Sequence, residues 1–404
     1  MTPCFPRAYR LAFLLVGAVL LVLPARAQFA VQGDTVYTMA GNPIPNGVVL
    51  VSGTTIEAVG PASEVNVPDG YQTLDAAIVT PGLIDPRGTV GVSGLYNVDA
   101  DQDQLDTSAP MQPELRAIDA YNPRESLVEF VRGFGITTVH TGHAPGALIS
   151  GQLGAFSTRG STVDDAARAP QTAVAMTLGP QAGQRFSSPG TSAKGVALLR
   201  AKLLDAQAYA EREDDGGPPD LGMEVLAQVL SGDLPALITA HRATDIQAAL
   251  RLQEEFGVDL ILDGAAEAYL LTEEIAEAGV PVILHPTMIR PYGPAENAAF
   301  TTAGVLHEAG IPVAIQSGWE PYVPKTRIVL YEAAIAAAHG LPREAALASI
   351  TRVPAEILGL SDRIGTLEEG KDADLVLFDG DPLEYTTHAC EVIIQGELVD
   401  STCD

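Results

Sequence analysis

Lysine is scarce in this 404-residue chain. Only Lys194, Lys202, Lys325 and Lys371 stand among the 23 basic residues, against 51 Asp and Glu, for a formal charge of -28. A surface that acidic repels phosphate backbones and anionic lipid, which puts nucleic-acid binding last among the broad functional classes. Salt adaptation or selection for solubility fits such an acidic, Lys-poor, Ala-rich composition; codon bias favouring arginine is the alternative. Cysteine is sparse too, at positions 4, 390 and 403, so the long central part of the chain has no thiol nucleophile. Tryptophan occurs once, at 319. Long single-sign charge runs and internal repeats are absent, and no stretch reaches the roughly 20 apolar residues of a bilayer span. What is present is ample for a large core: 47% hydrophobic against 18% charged residues excludes disorder of the whole chain.

The first 27 residues combine Arg7 and Arg10, an apolar run of about 13 residues from Leu11 to Leu23, and Ala25-Arg26-Ala27. These are the parts of a secretory signal peptide, with a retained anchor as the alternative. Its removal would take the formal charge to about -31, because the leader holds three arginines and no acid. The expected product is secreted or periplasmic, with no membrane association after cleavage. Export permits Cys390 and Cys403, flanking a hairpin that turns at Gln395-Gly396, to form a disulfide; two unpaired thiols are the alternative.

From Phe29 to Thr80 short alternating strands are separated by turn residues, and the same texture returns after Ile364. Between them, apolar strands such as 135–140, 172–176, 236–241, 258–263, 280–285 and 311–315 alternate with Ala-rich amphipathic helices. Continuous apolar strands with helical crossovers imply a parallel sheet covered on both faces. The expected fold is α/β, with a (β/α)8 TIM-type barrel over residues 86–363. A small composite β-sandwich is expected from 28–85 and 364–404. A doubly wound open sheet is second choice, since no glycine-rich phosphate loop follows an early strand.

His140, His241 and His285 each close a strand of this pattern, and His143 follows the first of them. Strand C-termini of a parallel barrel open onto one face, where active sites are built. Asp263 closes another strand, and Trp319 and Glu320 follow the last. Imidazoles and carboxylates converging on one rim suit a divalent metal or general acid–base chemistry. A structural role is the alternative for each histidine taken singly, and ordinary packing is the alternative for Trp319.

Two segments carry a more specific signal. Val79-Thr80-Pro81-Gly82-Leu83-Ile84-Asp85 resembles the entry to the first barrel strand of the amidohydrolase superfamily. Gly365 to Val376 (GTLEEGKDADLV) resembles its return from the barrel. Arg116 to Pro123, Ile149-Ser150-Gly151-Gln152 and His241 to Ile246 are similar to the imidazolonepropionase-like branch. The resemblance spans nearly all of the chain after the leader. It implies a hydrolase of non-peptide carbon–nitrogen bonds, of cyclic amides or N-acyl compounds, using water activated by a divalent metal such as zinc. Several positions depart from that pattern. The family's His-x-His pair falls on Arg87 and Thr89, its strand-five pair on Thr239 and His241, its strand-six histidine on Asp263, and its strand-eight aspartate on Gly318. No strand-four lysine is present, Lys194 and Lys202 lying in helical segments. A guanidinium cannot ligate a cation.

Three readings follow. In one, His140, His143, His241 and His285, with Asp263, form a relocated metal site and Glu320 serves as base. In another, no metal is used, and Arg87 polarises a carbonyl or holds a carboxylate. In the third, the fold binds or scaffolds without turnover. Arg87, Arg242, Arg290, Gln152 and Trp319 are the candidates for holding a small-molecule substrate. A homodimer is expected only from the general prevalence of symmetric assemblies.

Overall fold

The computed structural model describes residues 28–96, 98–212, 217–319, 327–401 and 403. The leader and Glu320 lie outside the described residues. Four strands come first: β1 (Gln28–Val36), β2 (Ile44–Ser52), β3 (Thr55–Pro61) and β4 (Gln72–Pro81). Eight more follow: β5 (Leu83–Gly88), β6 (Ile136–Thr141), β7 (Ile149–Ser157), β8 (Ala167–Thr177), β9 (Ala236–Ala240), β10 (Leu260–Gly264), β11 (Val282–Leu284) and β12 (Val313–Ile315). The last three are β13 (Leu375–Phe378), β14 (Ala389–Ile394) and β15 (Glu397–Ser401). The helices are α1 (Ser126–Arg132), α2 (Val163–Ala166), α3 (Ser192–Ala210), α4 (Leu221–Ser231), α5 (Ala243–Phe256), α6 (Thr272–Ala278), α7 (Thr302–Glu308), α8 (Val329–Ala338), α9 (Arg343–Ala348) and α10 (Arg352–Ile357).

The two ends of the chain build one seven-stranded sheet, in the order β15-β14-β13-β4-β1-β2-β3. Period-two alternation decides its packing. Leu375, Leu377 and Ile393 join Val31, Val49 and Val79 in the sheet's own core, while Val376, Phe378, Val392 and Ile394 point at the barrel. Cys390 and Cys403 are disulfide-bonded across the terminal hairpin. Arg168, on β8, clasps the two sheets together by pairing with Asp372 and Asp374.

Strands β5 to β12 form a nearly closed eight-stranded barrel sheet in sequence order. It begins at Leu83 rather than at Pro86, and it is not uniformly parallel. Strand β7 runs antiparallel to both β6 and β8. The cause is the connection: only residues 142–148 join β6 to β7, too few for the crossover that a parallel neighbour requires. The other strands share one direction, so their C-terminal ends still open on one face.

The same alternation stacks the barrel interior in layers. Leu153, Ala173, Ala175, Leu237, Ile261, Ile283 and Ala314 fill an inner apolar layer. Two residues further along their strands, Thr239, Asp263, His285 and Gln316 lie on the same inward face. Outward-facing Ile238, Leu262 and Val282 pack beneath the helices, including Ile246, Ala249, Leu252 and Phe256 of α5. The barrel seam between β12 and β5 is joined by Gly318 N–H donating to the Arg87 carbonyl at 3.2 Å. Ser317 adds a backbone N–H to Asp85 Oδ1 at 3.2 Å and a hydroxyl to Asp85 Oδ2.

Candidate active site at the barrel mouth

Arg87 lies at the end of β5 with no solvent exposure, and Asp263 at the end of β10 has none either. Arg87 Nε is 3.7 Å from Asp263 Oδ2, and Nη2 donates to the His143 carbonyl at 2.6 Å. Asp263 also accepts from the Thr239 hydroxyl and, at 2.7 Å, from Gln316 Nε2. Burial pulls the Arg87 guanidinium below its ordinary value while the Asp263 charge holds it up, and a guanidinium remains protonated. Asp85 is pushed up to about 6 by burial, against the opposing pull of Ser317 and Arg87. Removing either member of such a buried ion pair typically costs about 3–5 kcal/mol, because the other charge is stranded.

The four histidines have different surroundings. His140 is held at both ring nitrogens, Nδ1 at 2.6 Å from the Pro86 carbonyl and Nε2 at 2.7 Å from the Thr172 hydroxyl. Burial lowers it to about 3, so it is neutral at physiological pH. A carbonyl only accepts, so Nδ1 carries the proton, and the one Thr172 hydroxyl proton is shared between His140 Nε2 and the Leu153 carbonyl at 3.0 Å. His143 is buried with its ring packed on Gly151, and the Leu115 carbonyl lies beside it without forming a well-aligned hydrogen bond. His241, just past β9, has no hydrogen-bond partner on either ring nitrogen. Its ring lies against Gly264, where a Cβ would come within 2.6 Å of Cε1. His285 donates Nδ1–H to the Pro286 carbonyl at 2.6 Å, which leaves an unpartnered lone pair on Nε2. Burial lowers His143, His241 and His285 each to about 4, and the proximity of His241 further lowers His285.

Above this layer lies a cavity of about 230 Å³. His241, Trp319, Arg185, Arg290, Gln181 and Gln184 line it, with Tyr292 at its edge. Of the residues singled out in the sequence, His241, Trp319 and Arg290 therefore share one cavity. Others lie elsewhere. Gln152 is tied at both ends, donating to the Pro113 carbonyl at 2.9 Å and accepting from Gln171 at 3.1 Å. Arg242 starts α5, where its charge acts on Asp245. Arg185 and the two glutamines are additions that the sequence pattern did not single out. They sit in the loop after β8, and the rule that loops following barrel strands build the site could have found them.

A tight divalent site needs several lone pairs converging on one point. Among the described residues, no three of His140, His143, His241, His285 and Asp263 bring ligand atoms within 4.8 Å of one another. The four-histidine site expected from the sequence is not assembled: His140 has both nitrogens occupied, and His143 lies on the β6–β7 connection packed against Gly151. The sole grouping of that compactness among the described residues is Asp379 with Cys390 and Cys403, whose sulfurs are spent in the disulfide. The family positions fit a metal no better. Arg87 stands at one, and a divalent ion about 4 Å from a guanidinium would meet a repulsion of roughly 8 kcal/mol at an effective dielectric of 20. Thr89 and Gly318 supply no anionic donor there.

Comparison with known proteins agrees with the fold. The amidohydrolase family model matches residues 195–400. Amidohydrolase tasK of Hapsidospora irregularis is 26% identical over 381 residues, covering 85% of this chain but only 38% of that longer protein. The imidazolonepropionase of Rhizorhabdus wittichii is 26% identical over 383 residues, covering 85% of this chain and 91% of the enzyme. The crystal structure of an amidohydrolase from Thermotoga maritima MSB8 superposes with a TM-score of 0.87 at 28% identity, covering 93% of this chain and all of that one. The family typically binds divalent metals such as zinc, and its members act on small molecules. The chain belongs to the amidohydrolase family, as a hydrolase of carbon–nitrogen bonds.

Proposed function

We propose that this amidohydrolase has an altered metal site and hydrolyses a carbon–nitrogen bond in a small, carboxylate-bearing molecule seated at the barrel mouth. The observation that carries the reading is the cavity itself, in which His241, with both ring nitrogens unpartnered, faces the same space as Arg185, Arg290 and Trp319. In a chain of charge -28, Arg185 at this cavity supplies a local positive charge that attracts a carboxylate. Trp319 offers an apolar face for a ring. The name imidazolonepropionase, borne by several relatives, denotes a ring amide carrying a propionate, and this supports the same substrate class.

Burial keeps His241 neutral down to about pH 4, so its lone pair is available at neutral pH. His241 takes a proton from water as the water oxygen bonds to the amide carbon. It returns that proton to the nitrogen as the carbon–nitrogen bond breaks. His285, with a lone pair on Nε2, is the second acceptor on the same rim.

The test is turnover of a panel of lactams, cyclic ureas and N-acyl amino acids, each with and without a carboxylate. His241→Ala is expected to lower kcat by about 10²–10⁴-fold, and Arg185→Ala to raise KM for the carboxylate-bearing compounds only. Turnover undiminished in His241→Ala would remove the assignment. Arg87, Thr89 and Gly318 at the family's metal positions favour a second reading, ligand binding without turnover. Calorimetric binding of carboxylates with no hydrolysis anywhere in the panel would select it.

We also propose export to the periplasm or the medium, on the strength of the leader pattern and the Cys390–Cys403 disulfide. Mass spectrometry of the mature protein should find its N-terminus at Gln28.

A further inference from the structure

We propose that Arg87 is a built-in replacement for the family's metal cation, and that Asp263 is its dedicated counter-ion. The inference rests on the reading of an altered metal site, but not on turnover. Three observations converge. The guanidinium stands where the resemblance places the first metal ligands, fully buried, and its Nη2 is anchored on the His143 carbonyl at 2.6 Å. Two buried carboxylates stand at this centre: Asp85 is tied to Ser317 and to the Arg87 backbone, and Asp263 is bonded by Thr239 and Gln316 and lies 3.7 Å from Arg87 Nε, an ion pair without a hydrogen bond. At the position of the strand-eight aspartate, Gly318 has φ +94° and its N–H bonds to the Arg87 carbonyl at 3.2 Å. The left-handed φ suits glycine, and no side-chain carboxylate is offered at this position.

These changes compensate one another. Loss of the aspartate and gain of a guanidinium leave one buried cation between two buried carboxylates, Asp263 and Asp85, with donors supplied to Asp263 by Thr239 of β9 and by Gln316 just past β12. A divalent ion entering here would have to break the Arg87–Asp263 pair without gaining a full set of donors.

The test has two arms on the full-length mature protein. Purified without chelator, it should contain less than about 0.1 equivalent of Zn, Mn, Fe or Ni, with a Tm unmoved by EDTA or added zinc. Stoichiometric metal whose removal lowers Tm overturns both this inference and the altered-site reading. The second arm compares Arg87→Met, Asp263→Asn and the double variant. Each single change should lower Tm by at least about 5 °C, and the double should lose clearly less than the sum. If a single variant does not fold, Arg87→Lys keeps the charge and should fold with a smaller loss, and the double should fold better than that single. Metal-free protein with strictly additive losses, or with an Arg87→Met protein as stable as the parent, overturns the inference alone.

Discussion

Gly264 shows how one missing side chain sets the site. Its φ of +79° suits glycine, and a Cβ there would come within 2.6 Å of His241 Cε1. Gly264→Ala should therefore displace the imidazole. Its expected signature is a fall in kcat of at least about tenfold, since small misplacements of a reacting group are costly, with only a few degrees lost from Tm. A variant with unchanged kcat would show that the His241 position is not critical. At this scale the sequence was informative about residue types and poor on their partners. The Arg87 substitution was legible, because a resemblance fixed what should stand there. Its pairing with Asp263 was not, since the two residues lie far apart in the chain and meet only through barrel closure. His140 looked like its neighbours until Pro86 and Thr172 were seen to hold both of its nitrogens.

The elements were easier to anticipate, because burial on both faces gives parallel strands their continuous apolar runs. Strands β8 to β12 fall where the apolar runs place them. Strand β7 escaped altogether, since Ser150, Gly151, Gln152 and Gly154 interrupt the apolar run, and its direction follows from the short connection from β6. Two changes test the element-scale account. Ile283→Ala removes a fully buried side chain from the inner layer between Leu237, Ile261 and Ala314 and should cost about 2–5 kcal/mol in urea denaturation. Asp220 caps α4 by accepting from the Gly222 and Met223 N–H groups at 3.0 and 3.1 Å, and Asp220→Ala should cost about 1 kcal/mol. A smaller loss for Ile283 than for Asp220 would contradict the layered barrel core.

For the whole molecule, four buried histidines fix the response to acid. His140 is lowered to about 3, and His143, His241 and His285 to about 4. A depressed folded-state value means that the unfolded chain binds more protons between 6.5 and 4. The stability from these groups is thus full above pH 6.5 and lost as pH falls through 4. Where all four contribute, the slope approaches about 5 kcal/mol per pH unit. Asp85, raised to about 6, has the opposite sign: its contribution is present below 3.8 and lost as pH rises through 6, and Asp245 and Asp374, also raised by burial, act in the same sense, so these carboxylates soften the slope. Melting curves should show Tm falling steeply between pH 6.5 and 4.5, and a flat profile there would mean that the histidines are not buried as described.

The proposed altered metal site is the central claim, and anomalous X-ray scattering at the zinc edge tests it directly. Crystals of the mature protein grown with zinc should show no anomalous peak in the barrel beside Asp263, and Arg87 should hold its place against that carboxylate. A fully occupied peak there, with Arg87 displaced and Asp263 or His241 as ligands, would contradict the account.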